Sequence, residues 1–322
     1  MDRREITRRQ FIERTAVVAG GIFLSPVAAR IGWAGTKKTA VDQVTLGKTG
    51  LKLSRLGIGC GSTSGRVQQA LGQEGFNRLV RYAYDQGITY IDIARSYRTH
   101  EMLKEAIQGL PREKLFIQTK MGGAPDNPLE EIDKYRRTYG VDYIDSVLVH
   151  CTVTPDWDEQ RKRAMDAMAE AKDKKIIRAH GVSCHTLPAL KRAVELDWVD
   201  VHLVRINPQG AHVDTSGLEW NARSDASHVP AVMEQIKLMR EKGRGIIGMK
   251  LIGDGDFQNP EDREKAIRFA MQCGLLDCVT IGFKSSAEID EAIQRINSAL
   301  AEMPEEKKLQ ARTRGAGLAA TG

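Results

Sequence analysis

The sequence predicts an α/β fold, a (β/α)8 TIM barrel with an N-terminal β-hairpin cap, on three observations. With 322 residues, of which 41% are hydrophobic, the chain is long enough for one barrel of this size. Short, almost continuously apolar segments recur along it, as in parallel strands that are covered on both faces. Polar residues follow four of these segments at intervals of 28, 30 and 33 residues, namely Asp92, Lys120, His150 and Ser183. Such an interval accommodates one strand and one crossover helix.

The elements of this barrel follow one another between residues 44 and 300. Residues 44–53 alternate apolar and polar side chains around a glycine-containing turn, which predicts a hairpin that caps the bottom of the barrel. Eight apolar segments then predict the strands, at residues 55–60, 90–92, 115–117, 146–149, 179–182, 199–206, 245–249 and 278–281. We therefore assign residues 40–305 to the barrel.

Helical stretches lie between most of these strands, and their apolar residues recur with the helical period. Two predicted buried stripes precede the second and the seventh strand and consist of Phe76, Leu79, Val80, Ala83 and Tyr84, and of Val232, Ile236 and Met239. An open doubly wound sheet is the alternative, but no G-x-G-x-x-G follows the first strand, which favours the closed barrel. Residues 208–227 form a long connection after the sixth strand and are expected to cover the barrel mouth.

Residues 1–35 are predicted to be a signal peptide. A basic start is followed by a weakly apolar run over residues 15–29 and by small residues that suit a cleavage site. The pair Arg8-Arg9 ahead of Phe11 resembles the twin-arginine (Tat) export signal, which implies a periplasmic or otherwise exported protein and the Tat machinery as a partner. The alternative is an amphipathic first helix of the domain. The polar residues 306–322 are expected to be a mobile C-terminal tail.

Composition and charge exclude several classes of protein. The net charge is +6, and residues 1–34 contribute half of it, with six arginines against three acidic residues. The remainder is too small to indicate a nucleic-acid surface, and 6% aromatic residues offer little for base stacking. Five cysteines without a C-x-x-C do not form a disulfide framework. No run of eighteen apolar residues occurs, so no stable membrane span is expected after export.

Four polar side chains mark the carboxyl ends of three neighbouring strands. Asp92, Lys120 and His150 close the second, third and fourth strands, and Tyr97 lies in the loop after the second. In a barrel of this kind these ends meet at the mouth, where the catalytic groups lie. Alone, each residue is more commonly structural: a helix cap, a packing residue or a buried histidine. Together they predict a catalytic site.

The chemistry of this set indicates a phenolic general acid. A tyrosine titrates near pH ~10, so at neutral pH it gives up its proton reluctantly. The ammonium of Lys120 would stabilise the Tyr97 phenolate, and the carboxylate of Asp92 would hold that ammonium charged. The imidazole of His150 would orient a carbonyl by a hydrogen bond. Such a site suits carbonyl reduction, for which a nicotinamide must supply the hydride.

Residues 44–300 resemble the aldo-keto reductase family. The matching stretches are D-x-A-x-x-Y-x-x-x-E over residues 92–101, Ile-Gln-Thr-Lys over 117–120, and residues 142–145 with His150. Gly-Val-Ser over 181–183 and Met-Lys-Leu over 249–251 also fit. The resemblance implies that Asp92, Tyr97, Lys120 and His150 are the catalytic tetrad and that the cofactor is NADP(H), with NAD(H) possible.

The resemblance also implies a set of cofactor-binding residues, namely Ser183, Lys250, Lys284, Ser285 and Glu291. The nicotinamide cradle departs from the family pattern. Cys184 replaces an asparagine, Leu203 replaces a glutamine, and Ile206 stands near the usual stacking aromatic, with Asn207 after it. The implied tetrad is therefore complete while the implied cradle is altered.

Histidine and cysteine stand side by side at the ends of two neighbouring strands, in His150-Cys151 and Cys184-His185. Adjacent strand residues point to opposite faces, so at most one of each pair faces the mouth. Two protein ligands make a poor zinc site, and we predict no metal. Cys151 and Cys184 are either two buried thiols or a disulfide formed in an oxidising compartment.

The sequence as a whole predicts an exported NADP(H)-dependent reductase of a small aldehyde, ketone or sugar carbonyl. One alternative is a dismutase-like enzyme that leaves the cell with a tightly held cofactor and never releases it. Another is a ligand-binding barrel without turnover. The altered positions Cys184 and Leu203 favour that second alternative, and the complete tetrad opposes it.

Overall fold

The structure, a computed structural model, describes residues 38–303, so the predicted signal peptide and the predicted tail lie outside the described residues. A two-stranded antiparallel hairpin, β1 (Gln43–Thr45) and β2 (Lys52–Ser54), precedes a closed barrel of parallel strands. The barrel strands are β3 (Leu56–Gly59), β4 (Tyr90–Asp92), β5 (Phe116–Met121), β6 (Ile144–Thr152), β7 (Ile177–Cys184), β8 (Val201–Arg205), β9 (Gly245–Met249) and β10 (Cys278–Gly282). They neighbour one another in chain order, and β10 closes the barrel on β3. The predicted fold class is confirmed.

Helices connect the strands and cover the outside of the barrel. Within residues 38–303 they are α1 (Arg66–Gln69), α2 (Gly72–Asp85), α3 (Leu103–Ala106), α4 (Pro128–Tyr139), α5 (Trp157–Gln160), α6 (Lys162–Asp173), α7 (Leu187–Glu195), α8 (Val229–Glu241), α9 (Pro260–Gln272) and α10 (Ser286–Ala301). The apolar stripes predicted before the second and seventh strands lie in α2 and α8, and all of their residues except the half-buried Tyr84 are buried.

Side chains cap three of the longer helices at their amino ends. Asn127, Thr186 and Ser285 accept hydrogen bonds from backbone N–H groups in the first turns of α4, α7 and α10. Such a cap satisfies a donor that the helix itself leaves unpaired, and it fixes where the strand-to-helix loop ends. Because these loops leave the carboxyl ends of the strands, the caps also fix the rim of the mouth.

The hairpin closes the amino-terminal end of the barrel, as predicted. Leu46, Leu51 and Leu53 are buried inside the barrel and pack with residues near the strand starts such as Tyr90 and Phe116. A buried carboxylate holds the turn of the hairpin in place. Asp277, just before β10, accepts hydrogen bonds from the N–H groups of Gly47 and Ile246 and pairs with Arg240.

The long connection after β8 is held at the opposite end, as expected of a segment over the mouth. Arg205, the last residue of β8, donates to the buried carboxylate of Asp214 and to the carbonyl of Trp220. Leu218 and Trp220 are more than half exposed, at 53% and 58%. The segment is therefore fixed at its base and presents apolar side chains to solvent near the mouth.

The strand positions were predicted better than the strand lengths. β4 and β9 have the predicted bounds, whereas β6 and β7 extend beyond the predicted segments at both ends. At their starts, the polar Asp145 and Arg178 separate Ile144 and Ile177 from the predicted apolar segments, and at their ends both strands continue into His, Cys, Thr and Ser residues, so the apolar pattern does not mark these positions. Within the described residues, no helix is long and apolar enough to cross a membrane.

Candidate active site

A buried ion pair lies at the mouth, where β4 and β5 end. The Lys120 ammonium donates to Asp92 Oδ1 at 2.8 Å and to the Ile93 carbonyl at 2.9 Å. Lys120 is fully buried and Asp92 is 5% exposed. Burial alone would lower the pKa of Lys120, but Asp92 and Tyr97 raise it above its ordinary value. The ammonium is therefore a fixed positive charge.

Gln118 positions the carboxylate of this pair, which the sequence reasoning did not foresee. Its side-chain amide donates to Asp92 Oδ1 at 3.0 Å and to the Tyr90 hydroxyl at 2.8 Å. The sequence did contain a signal for this contact. Side chains alternate between the two faces of a strand, and Gln118 stands two residues before Lys120, so both face the barrel interior. A buried polar residue at that position needs a polar partner inside the barrel.

Tyr97 lies over the Lys120 ammonium, with 4.9 Å from Nζ to the ring centroid. Gly61 gives the ring its place, since a Cβ at that position would lie 2.3 Å from the Tyr97 ring. Burial raises the pKa of Tyr97 above its ordinary value, while Lys120 acts in the opposite direction. The phenol is thus protonated at neutral pH, and the neighbouring ammonium stabilises the phenolate once the proton leaves.

His150 faces the same space from the end of β6. Its ring meets the Tyr97 ring edge to face, with 5.9 Å between centroids. Burial, and then the charge of Lys120, lower the pKa of His150 to about 3. The imidazole is therefore neutral at physiological pH and has one N–H to donate. The structure brings the four predicted catalytic residues together.

A second imidazole, that of His185, lies at the mouth; the sequence analysis considered this residue only as one half of a Cys-His pair and gave it no role in the site. Its ring centroid lies 6.1 Å from that of His150, and its Nε2 is 3.3 Å from the Ser183 hydroxyl. Its Nδ1 is buried without a hydrogen-bond partner in the described structure. β7 ends at Cys184, so strand alternation no longer decides where His185 points. The strand pattern therefore could not decide which residue of the Cys184-His185 pair faces the mouth.

Cys151 and Cys184 are free thiols. Cys184 is buried in the layer between the barrel and its helices, where its sulfur accepts a hydrogen bond from Thr152. Burial raises the pKa of both thiols. Residues 38–303 contain no group of three His, Cys, Asp or Glu side chains that could hold a metal ion.

The other altered cradle positions are occupied by packing. Leu203 is fully buried inside the barrel, and Ile206 is buried in the outer layer. Asn207, next to Ile206, uses its amide to hold the following loop, through bonds to both backbone groups of Ala211 and to the carbonyl of Lys250. At these positions, the polar contacts that the resemblance implies for the carboxamide are absent.

The four residues predicted for the phosphate and adenosine end are already engaged within the chain. Lys250 pairs with Asp254 at 2.8 Å, and Glu291 binds two arginines, Arg263 and Arg295, each at 2.8 Å. The Ser285 hydroxyl caps α10.

Lys284 pairs with a carboxylate one turn further on. Its ammonium lies 3.5 Å from Glu288, and its backbone N–H donates to the same carboxylate at 2.8 Å. Glu288 was not among the predicted site residues.

These groups fit a nicotinamide dinucleotide. Ser183 and the unpartnered Nδ1 of His185 offer a hydroxyl and a buried imidazole nitrogen to one amide at the mouth. Lys250 and Lys284 lie just after the ends of β9 and β10, where each ammonium, although paired with a carboxylate, could also meet a phosphate at the amino end of α10. At the carboxamide end, His185 would take the role that the altered positions have lost.

Comparison with known proteins gives the family. Residues 55–273 match the model of the aldo/keto reductase family. The chain is 30% identical over 184 residues to "probable aldo-keto reductase 1" of Glycine max, covering 49% of this chain and 51% of that protein. It is also 30% identical over 138 residues to an NAD/NADP-dependent indole-3-acetaldehyde reductase of Schizosaccharomyces pombe, covering 40% of this chain and 48% of that protein.

The chain thus spans about half the length of these curated relatives. The structure resembles the holo form of an aldo-keto reductase from Bacillus halodurans, with a TM-score of 0.64 and 17% identity over 85% of this chain and 96% of that one. That likeness concerns the fold alone. From the family match over residues 55–273, we conclude that this chain belongs to the aldo/keto reductase family.

Proposed function

We propose that the protein is an NAD(P)H-dependent oxidoreductase that reduces the carbonyl of a small aldehyde, ketone or sugar. The observation that carries the proposal is the Lys120 ammonium, held at 2.8 Å by Asp92 and lying 4.9 Å from the centre of the Tyr97 ring. A purely structural ion pair would need no phenol at that place. A phenol whose phenolate is stabilised by a fixed cation can act as a general acid toward a bound carbonyl.

The proton chemistry follows from the protonation states of these side chains. Tyr97 donates its proton to the carbonyl oxygen, and Lys120 stabilises the phenolate that remains. Asp92 keeps the ammonium in place and Gln118 keeps Asp92 in place. The neutral His150 donates a hydrogen bond to the carbonyl oxygen and so orients the substrate. When bound, the nicotinamide supplies the hydride, which no side chain can provide.

We propose NADP(H) as the preferred cofactor and Lys284 as the contact of its 2′-phosphate. Lys284 is a 67% exposed cation next to the amino end of α10, which itself favours an anion. Ser183 and His185 would hold the carboxamide, and Lys250 would face a phosphate. The name of the relative from Schizosaccharomyces pombe, NAD/NADP-dependent, supports a nicotinamide cofactor of either kind, so the preference for NADP(H) rests on Lys284.

The proposal is tested by supplying NADPH and a panel of aldehydes, ketones and sugars to the purified protein. We expect oxidation of NADPH that matches the alcohol formed, mole for mole. Cofactor affinity is measured separately, by quenching of protein fluorescence. Saturable binding of NADPH without turnover of any carbonyl in a broad panel would contradict the reductase.

Two alternative functions remain, one suggested by the altered cradle and one by the proposed export. Leu203 has no polar atom in its side chain and the buried Cys184 sulfur already accepts from Thr152, which favours a barrel that binds a ligand without turnover. An enzyme that retains its cofactor would instead alternate between oxidation of one substrate and reduction of another. Nicotinamide absorbance in freshly purified protein, surviving gel filtration, would identify the retained cofactor.

We also propose that residues 1–35 direct the protein through the Tat machinery to the periplasm. The proposal rests on Arg8 and Arg9 ahead of Phe11 and on the apolar run that follows. Replacement of both arginines by lysine keeps the charge and most of the hydropathy. We expect that variant to stay inside the cell. Export at the wild-type level would show that the pair is not read as a signal.

A further inference from the structure

A cleft with a strongly basic lining opens at the amino-terminal end of the barrel, at the far end from Tyr97. Its volume is about 240 Å³. Its charged lining consists of five cations and one carboxylate, which are Lys48, Lys172, Arg178, Lys242, Arg244 and Asp200. The site proposed for carbonyl reduction uses none of these residues.

The cations that line the cleft come from four separate segments of the chain. Lys48 lies in the turn of the hairpin, and Lys172 lies in the last turn of α6. Arg178 is the second residue of β7, while Lys242 and Arg244 lie between α8 and β9. A ligand in the cleft would meet positive charge from several directions.

In the described part of the chain, nearby carboxylates pair with three of the five cations and leave the other two unpaired. Asp200 is taken up by Lys172 at 2.5 Å, Arg178 pairs with Asp145 at 2.8 Å, and Arg244 pairs with Asp197 at 2.9 Å. Lys48 and Lys242 make no ion pair with any of the residues that the structure describes, and Arg244 Nε is buried without a hydrogen-bond partner there. Two full charges are thus left for a ligand.

The backbone holds Lys48 at the cleft. Its N–H donates to the Gly243 carbonyl at 2.9 Å. Gly243 has φ +72°, and a Cβ there would lie 2.2 Å from Lys48 Cε, so the lysine stem lies directly across the glycine. This arrangement limits the freedom of the Lys48 stem before any ligand binds. Less side-chain entropy is lost on binding.

We propose that this cleft binds a small anion that carries phosphate groups. Phosphate oxygens point in several directions and accept charge-assisted hydrogen bonds, which suits lysines and arginines arriving from separate segments. The volume exceeds that of a single phosphate and suits a diphosphate or a small phosphorylated molecule. The inference is independent of the proposed reductase activity, because the two sites lie at opposite ends of the barrel.

Calorimetric titration of the full chain with inorganic pyrophosphate, at constant ionic strength, tests the proposal. We expect one saturable site per chain. Lys48→Ala with Lys242→Ala removes the two unpaired cations and should weaken binding by about tenfold or more. The matched control removes two exposed lysines elsewhere, Lys237 and Lys265, and should leave the affinity within about twofold.

Several outcomes would overturn the site. They are absence of saturable binding to the wild type, equal affinity of wild type and the Lys48/Lys242 variant, and an equal loss in the control variant. Citrate binding as tightly as pyrophosphate would overturn the preference for phosphate. Lys48 and Lys242 are exposed, so we expect the Lys48/Lys242 variant to keep the wild-type unfolding midpoint in the absence of ligand. The binding measurement does not depend on whether the protein catalyses carbonyl reduction.

Discussion

Each end of the barrel buries a carboxylate beside a cation, yet the two ion pairs differ in the other groups that they contact. At the closed end, Asp277 binds Arg240 and two backbone N–H groups, and so ties together the hairpin, α8 and β9. At the mouth, Lys120 binds Asp92 and one carbonyl, and its charge also faces the Tyr97 ring. The first pair is a structural tie, whereas the second leaves its charge available to a reactive group.

We therefore expect substitutions at the two ends to affect different properties, turnover at the mouth and stability at the closed end. Loss of a group at the mouth should sharply reduce turnover even in the protein that remains folded. Loss of a group at the closed end should lower stability while the remaining folded protein keeps its activity.

Tyr97→Phe should reduce carbonyl turnover by about 10²–10⁴-fold, because it removes the general acid and leaves the ring in place. NADPH affinity and the unfolding midpoint should barely change. The measurements are steady-state kinetics, fluorescence titration with NADPH, and denaturant unfolding. A Tyr97→Phe protein that reduces substrate near the wild-type rate would end the proposed mechanism.

Lys120→Met should reduce turnover comparably, since the phenolate would lose the charge that stabilises it. The double variant with Tyr97→Phe should be little slower than either single variant, because both act through one proton transfer. Lys120→Met should also lower stability, as it leaves the buried Asp92 without its cation. Multiplicative losses in rate would show that the two residues act independently.

Asp277→Ala should destabilise the protein by about 3–5 kcal/mol, because it removes a buried carboxylate and leaves two backbone N–H groups without an acceptor. Asp166→Ala is the matched control, since it breaks an ion pair that is exposed on α6. That control should cost less than about 1 kcal/mol. Denaturant unfolding measures both, and equal losses would show that Asp277 does not tie the hairpin down.

Two buried histidines, one at the mouth and one in the first half of β8, make the stability of the protein depend on pH. Burial, with nearby cations, lowers the pKa of both His150 at the mouth and His202 in the first half of β8 to about 3. Between that value and 6.5 the unfolded chain binds the proton and the folded chain does not, so stability falls as the pH falls. Each residue should contribute up to about 1.4 kcal/mol per pH unit.

His202→Leu and His150→Asn should therefore each flatten the loss of stability between about pH 6.5 and pH 4. Only His150→Asn should slow turnover at neutral pH, because His202 faces no substrate. Urea unfolding at several pH values, with kinetics at neutral pH, checks both statements. An unchanged pH slope in His202→Leu would contradict the neutral state of that residue.

The sequence revealed the parts of the site that repeat with the fold. Regular spacing of the strands located Asp92, Lys120 and His150, because each strand of a barrel ends at the same rim. Contacts between distant positions could not be predicted in this way. Gly47 and Asp277 are 230 residues apart, and the sequence around neither residue indicates that it contacts the other. Only the folded chain shows that contact.

The cofactor end was less predictable for a related reason. The cation at Lys284 was visible in the sequence, but the pairing of its ammonium and its N–H with Glu288 depends on where α10 begins. His185 likewise follows the last residue of its strand, where the alternation of faces ends. Backbone direction at the ends of elements decides both positions, and residue types alone do not fix it.

The smallest expected effect concerns the choice between NADPH and NADH. Lys284 is 67% exposed and forms an ion pair with Glu288 at 3.5 Å, so its positive charge is partly neutralised and its attraction for a 2′-phosphate is weakened. Lys284→Ala should weaken NADPH binding by up to about tenfold and leave NADH binding unchanged. Glu288→Gln keeps an acceptor for the Lys284 N–H but removes the negative charge. It should strengthen NADPH binding a few-fold, again without an effect on NADH. Fluorescence titration of both cofactors against the three proteins gives four affinity ratios. If the two substitutions shift NADPH and NADH alike, Lys284 does not contact the 2′-phosphate, and its pairing with Glu288 serves only the first turn of α10.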